Sequence, residues 1–108
     1  MSVKRIRGAA IVGGFVFTSG MTGGTGDVET QIRNSLGKLE AVLKEAGTSF
    51  ENVVKATVYL ANLEDRPKYL NPIWAETFGE NRPSRTCVEV SLGTGVAVEI
   101  ELVAVIPK

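Results

Sequence analysis

The run Arg85-Thr86-Cys87-Val88-Glu89-Val90 is followed, after Gly93-Thr94-Gly95, by Val96-Ala97-Val98-Glu99-Ile100-Glu101-Leu102-Val103-Ala104-Val105-Ile106. How these two runs pair decides the fold. Both alternate with a period of two, the period of a β-strand. On alternation alone, Thr86, Val88, Val90, Val98, Ile100, Leu102, Ala104 and Ile106 make an apolar face. Arg85, Cys87, Glu89, Glu99 and Glu101 make the opposite face if the runs form a hairpin. A two-residue turn at Gly93-Thr94 would set Val88 against Glu99 and push a carboxylate into the core. A three-residue turn at Gly93-Thr94-Gly95 sets Glu89 against Glu99, Cys87 against Glu101 and Arg85 against Val103, and keeps every charge out of the apolar layer. Because a one-residue slip reverses the sorting, the second register is predicted.

Working outward, Lys4 to Arg7 reads as a short edge strand guarded by charge. Ala9–Val12 and Phe15–Ser19 read as strands around a Gly13-Gly14 turn. Gly20 to Gly26 is a glycine-rich loop, and Asp27 is placed to cap a helix whose first turn contains Glu29. Val28, Ile32, Leu36, Leu39, Leu43 and Ala46 recur at spacings of three or four, so a helix is predicted from Val28 to Ala46 with Gly47 closing it. Ser49 to Asn52 suits one helical turn. Val53–Leu60 alternates as a strand. Leu70, Ile73, Trp74, Thr77 and Phe78 define a second helix ended by Gly79. Either Asn71 caps this helix, or a turn from Pro67 runs into it through a kink at Pro72.

The predicted order is β-β-α-β-α-β-β, with both helices on one face of the sheet. The other face holds Phe15 and Phe17 beside ionic groups, a poor surface for a small monomer, so a second subunit is expected to cover it.

A length of 108 residues gives a single domain spanning 1–108. Twelve basic residues balance twelve acidic ones, which argues against a dedicated nucleic-acid binder. One cysteine and no histidine exclude an internal disulfide, a Cys/His zinc site and a histidine-based serine hydrolase. No segment resembles a membrane span, and a cytoplasmic location is expected.

Arg85 with Glu99 is the chemically interesting pair. A guanidinium can grip a carboxylate through two parallel hydrogen bonds, and a nearby acid can position water. The bland alternative is an ordinary surface ion pair, and Glu89 or Glu101 could equally be the partner. Cys87 has no histidine to activate it and suits packing better than nucleophilic attack. The glycine-rich loop matches neither dinucleotide nor P-loop spacing.

The motifs Phe17-Thr18-Ser19-Gly20, Val53-Val54-Lys55-Ala56-Thr57-Val58-Tyr59-Leu60, Asn71 with Trp74 and Phe78, Arg82-Pro83-Ser84-Arg85-Thr86-Cys87-Val88-Glu89-Val90 and Val98-Glu99-Ile100-Glu101 together resemble the RidA/YjgF family. The resemblance covers about Phe15 to Ile106. It implies a chorismate-mutase-like α+β fold, a homotrimer with clefts between subunits, and hydrolysis of enamine or imine acids such as 2-aminoacrylate to 2-keto acids and ammonia. It implies no cofactor, with Arg85 binding the substrate carboxylate and Glu99 holding the attacking water. Main-chain groups at Cys87 would assist, and Ser19 and Asn71 would line the cleft.

The chain departs from the family pattern in two places. Arg5-Ile6-Arg7 stands near the usual glycine-proline-tyrosine with its site tyrosine, and the loop from Met21 to Asp27 is shorter. Two other functions are compatible with the pattern: a non-enzymatic trimer that binds a small carboxylate, and an RNA-cleaving or translation-inhibiting role, against which the neutral charge weighs.

Overall fold

In the computed structural model, which describes residues 1–108, the sheet is built from seven strands. These are β1 (Lys4–Ile6), β2 (Ala9–Val12), β3 (Phe15–Thr18), β4 (Met21–Thr22), β5 (Val53–Leu60), β6 (Ser84–Glu89) and β7 (Val98–Val105). Two helices, α1 (Val28–Ala46) and α2 (Asn71–Phe78), supply the second layer of the α+β fold. β7 is the spine of the sheet: β3, β4 and β5 all pair with it antiparallel.

Local chemistry fixes α1. The Asp27 carboxylate accepts from the Thr30 amide at 2.8 Å, satisfying one of the free N–H groups of the first turn. That bond, with a second from the Thr30 hydroxyl, holds the Asp27 carboxyl below its ordinary pKa. At the other end Gly47 adopts φ +92°, and its amide returns to the Leu43 and Lys44 carbonyls. Ile32, Leu36, Leu39 and Leu43 of α1 and Ile73, Trp74 and Phe78 of α2 are buried against Val16, Ala56, Val58, Leu60, Val98, Ile100, Leu102 and Ala104 of the sheet. One face of the sheet is therefore covered by both helices, as the apolar spacing predicts.

Pro72 is accommodated as the second alternative allowed. Arg66–Leu70 forms a wide π-type turn that continues without a break into α2, and the N–H that Pro72 lacks is absorbed in this junction.

The predicted hairpin does not form. The strand order is β1-β2-β3-β7-β5-β6, so β5 lies between the two C-terminal runs. β6 pairs parallel with β5, matching Ala56 to Arg85, Val58 to Cys87 and Leu60 to Glu89. β7 pairs with β5 from the other side, matching Tyr59 to Glu99, Val58 to Ile100 and Thr57 to Glu101. The segment from Val90 to Ala97 is a crossing connection over the end of β5, with the Val90 amide bonded to the Leu60 carbonyl and the Ala61 amide to the Ala97 carbonyl.

This arrangement reverses the predicted facing of β6. Arg85 and Cys87 share the helix-covered face with Ala56 and Val58, while Thr86 and Val88 lie on the open face with Thr57 and Tyr59. Val88, expected in the apolar layer, is 38% exposed. The reason is parity: registration against β5 is offset by one residue from the hairpin assumed for β7. The sorting along β7 itself is as predicted, with Val98, Ile100, Leu102 and Ala104 buried and Glu99 and Glu101 on the other side.

The open face bears Phe15 and Phe17, 44% and 45% exposed, their ring centroids 6.4 Å apart. Tyr59 stands on the same face and donates its hydroxyl to Glu101 at 3.0 Å. That hydrogen bond raises the Tyr59 phenol above its ordinary pKa.

Candidate functional site

Arg85 emerges from the sheet's edge strand into a cleft of about 340 Å³ lined by Asn71, Trp74, Ala75, Arg82, Pro83 and Arg85. Three interactions hold its side chain. Nη2 donates to the Asn71 side-chain oxygen at 2.8 Å. The guanidinium carbon lies 5.1 Å from the Trp74 ring centre, within cation–π range. Trp74 in turn packs on Phe78 at 4.6 Å, and Phe78 on Phe50 at 5.2 Å, so the aromatic platform is anchored in the core. Asn71 and Trp74 both project from the first turn of α2, where the π-type turn delivers them.

No carboxylate pairs with Arg85. The ion pairs of the chain belong to Arg33, which bonds Glu29 and Glu76 on the helical layer. Partial burial lowers the Arg85 pKa, with Arg66 and Arg82 adding positive charge nearby. A partly desolvated guanidinium that is clamped in place and lacks a counter-ion is prepared to receive an anion.

Cys87 follows two residues later on the same face, half-buried against the core. Burial raises its thiol pKa, and the neighbouring Arg85 and Arg66 offset this only in part. The thiolate that nucleophilic catalysis requires is therefore disfavoured, in line with a packing role for the side chain.

Glu99 lies elsewhere. It is on the open face, level with Thr22 of β4 on one side and Tyr59 of β5 on the other. Its carboxylate lies against the backbone of Gly20, where any side chain would overlap it. Ser19, at the end of β3, adjoins that glycine, and its amide bonds the Gly8 carbonyl at 2.8 Å. The three acids that spacing could not separate now differ. Glu89 accepts from the Leu63 amide at 2.8 Å and Glu101 from Tyr59, whereas Glu99 has no hydrogen-bond or ionic partner within the chain.

The expected residues thus fall into two groups on opposite faces of one sheet. Arg85, Asn71 and Cys87 form one, and Glu99 and Ser19 form the other. The expectation that Arg85 and Glu99 share a sheet face within one chain is corrected: β5 intervenes, and its alternation sends them to different layers.

Sequence reasoning missed the roles of four residues. Trp74, Arg82 and Gly20 stand in the motifs quoted above, but the roles of Trp74 beneath Arg85, of Arg82 and Arg66 as nearby charges and of Gly20 beneath Glu99 emerge only once α2 and β4 are placed. The short strand β4 gave no alternation signal because it is two residues long inside a glycine-rich loop.

Comparison with known proteins gives a consistent picture. The family model described as endoribonuclease L-PSP matches residues 4–106. A RutC family protein of Pyrococcus abyssi is 41% identical over 102 residues, covering 86% of this chain and 80% of its own length. A protein of Escherichia coli named as a candidate reactive intermediate deaminase, TdcF, is 36% identical over 105 residues, covering 87% of this chain and 81% of its own length. Among solved structures, a Mycobacterium tuberculosis member of the YjgF/YER057c/UK114 family superposes with a TM-score of 0.84 at 32% identity, covering 91% of this chain and 84% of that one.

Proposed function

The chain belongs to the endoribonuclease L-PSP family, which is the RidA/YjgF family, and on that premise we propose that it hydrolyses small enamine and imine acids to 2-keto acids and ammonia. The observation that carries this reading is the Arg85 guanidinium, oriented by Asn71 and Trp74 at the mouth of an open cleft with no carboxylate of its own. Such a group matches the carboxylate common to every substrate of this class.

The reaction needs little else. In 2-aminoacrylate, a proton gained at the terminal carbon and one lost from nitrogen give 2-iminopropanoate, whose C2 is already electrophilic. Water adds at C2 while a carboxylate takes up its proton and the imine nitrogen gains one from solvent. The carboxylic acid so formed then protonates the amino group of the carbinolamine, the C–N bond breaks, and the hydroxyl proton is lost to solvent, leaving ammonia and pyruvate. Positioning and one group that accepts and returns a proton serve these steps, and we assign that role to Glu99.

Arg85 and Glu99 cannot meet within one chain, so the reading requires a cleft between copies in a homotrimer. Arg85 of one copy would bind the substrate, and Glu99 of the next would hold the water. Ser19 beside Glu99, Asn71 beside Arg85 and main-chain groups at Cys87 would complete the lining. Support comes from the open face, where Phe15, Phe17 and Val88 are exposed on the same side as Glu99. Covering that face with a second subunit would bring Glu99 to a boundary between chains.

The test is to generate 2-aminoacrylate in the presence of wild-type, Arg85→Ala and Glu99→Gln protein and follow keto-acid release. Loss of acceleration in both variants, with assembly retained, is expected. Full activity in either variant would remove that residue from the mechanism. Binding of keto acids without acceleration by the wild type would instead identify a carboxylate-binding protein that uses Arg85 alone.

A further inference from the structure

Arg85 is not the only cation at its cleft. Arg82, three residues earlier, lines the same cavity. Its Nε donates to the Gly79 carbonyl at 3.0 Å, which fixes the base of the side chain and leaves the terminal nitrogens without a partner in the chain. Arg66, on the π-type turn that leads into Asn71, adds to the positive charge felt by Arg85 and Cys87 but does not line the cavity. None of the three makes an ion pair. Arg82 and Arg85 line one cavity of about 340 Å³, so an anion entering it meets two guanidinium groups that no carboxylate of the chain neutralises. One monocarboxylate occupies one guanidinium. The cavity also exceeds the needs of a three-carbon acid.

We infer that the Arg85 cleft is built for dianionic substrates: imino acids whose side chain ends in a second carboxylate, held by Arg82 while Arg85 holds the first. This rests on the reading of Arg85 as the carboxylate anchor and adds a specificity that the reading does not require. The substrate class is that produced by two-electron oxidation of acidic amino acids at the α-carbon. Hydrolysis would follow the same balance, with water added at C2 and ammonia lost, and the distal carboxylate unchanged.

Trp74 is the single tryptophan of the chain and lies under Arg85, so its fluorescence reports occupancy of the cleft. The intact protein is titrated with 2-oxoglutarate and with 2-oxopentanoate, stable keto acids of equal carbon number that differ in the terminal carboxylate. Calorimetry on the same pairs serves if emission does not change. We expect 2-oxoglutarate to bind at least about tenfold tighter at low salt, the worth of one charge-assisted contact, with the preference weakening as salt rises. In Arg82→Gln protein the ratio of the two affinities should fall towards one.

Equal affinities in the wild type, or a preference that survives the Arg82 substitution, overturn the inference. Parallel measurement of 2-aminoacrylate decay separates the two claims. Accelerated decay with no dianion preference defeats only this inference. Absence of both acceleration and keto-acid binding defeats the anchor reading as well.

Discussion

Arg85 and Glu99 occupy strands on either side of β5, level with Ala56 and Tyr59 respectively, and leave the sheet in opposite directions. A chain arranged this way holds the two halves of the proposed reaction apart. Only another copy can reunite them.

That separation makes subunit mixing informative. In the proposed trimer, Arg85→Ala and Glu99→Gln proteins should each be inactive alone. When they are unfolded and refolded together in equal amounts, each mixed ring has one cleft with both groups intact. Random assembly then restores about one quarter of wild-type activity, as cyclic symmetry dictates. No recovery on mixing would show that the two residues do not act across a shared boundary.

The open face offers a second check. Phe17→Asp places a charge among Phe15 and Val103, at a position 45% exposed in the single chain. Sedimentation should show a monomer in place of the assembly, with the far-ultraviolet dichroism preserved because the helix-covered core is untouched. Hydrolysis should be lost together with assembly. An unchanged sedimentation coefficient would mean that this face is not the contact.

Asn71 governs the attitude of Arg85 rather than its charge. Asn71→Leu removes the 2.8 Å hydrogen bond to the guanidinium, and bonds to charged groups contribute about 1.5–3 kcal/mol. The expected result is a fall of roughly ten- to a hundredfold in kcat/KM for 2-aminoacrylate hydrolysis, read from initial rates, with the melting temperature little changed.

Gln31 is a stability prediction. Its side chain is buried, with Nε2 donating to the Gly26 and Gly95 carbonyls at 2.8 and 3.0 Å and Oε1 accepting from the Ala97 amide at 2.8 Å. Gln31→Leu fits the volume but takes the partner from three part-buried backbone groups, at Gly26, Gly95 and Ala97, and a group left unpaired and dry costs about 1–3 kcal/mol. Denaturant unfolding should show a loss of at least about 2 kcal/mol. A smaller loss would mean that water replaces the amide.

Cys87 gives a pH test. Burial raises its pKa, so at any pH up to its folded value the thiolate fraction is smaller than for an exposed cysteine. Alkylation by iodoacetamide should be slow at pH 8, and the midpoint of its pH–rate curve should lie above that of a free thiol in the same buffer. A midpoint below the free thiol would indicate that Arg85 and Arg66 outweigh burial.

Much of the architecture is written in short-range chemistry. The Asp27 cap, the Gly47 stop and the three-and-four spacing from Val28 to Ala46 mark α1 because each acts within a few residues. The strand Val53–Leu60 and the sorting of Glu99 and Glu101 along β7 are equally local. The pairing of β6 is not. Its alternation is consistent with either neighbour, and contiguity in the chain favours β7. The long-range partner is settled by burial of β5 on both edges, which no window of residues displays. The same limit applies to the site: the residue types at 85 and 99 suggest their chemistry, but their separation depends on β5, some forty residues away in sequence from Glu99.

The bare backbone at Gly20 has an evolutionary corollary. Since the Glu99 carboxylate fills the space a Cβ would need, every single-codon change at position 20 displaces the acid without touching its own codon. In the proposed reaction the acid and this glycine therefore act as a pair, and a relative could keep the glutamate yet hold its carboxylate in a different place.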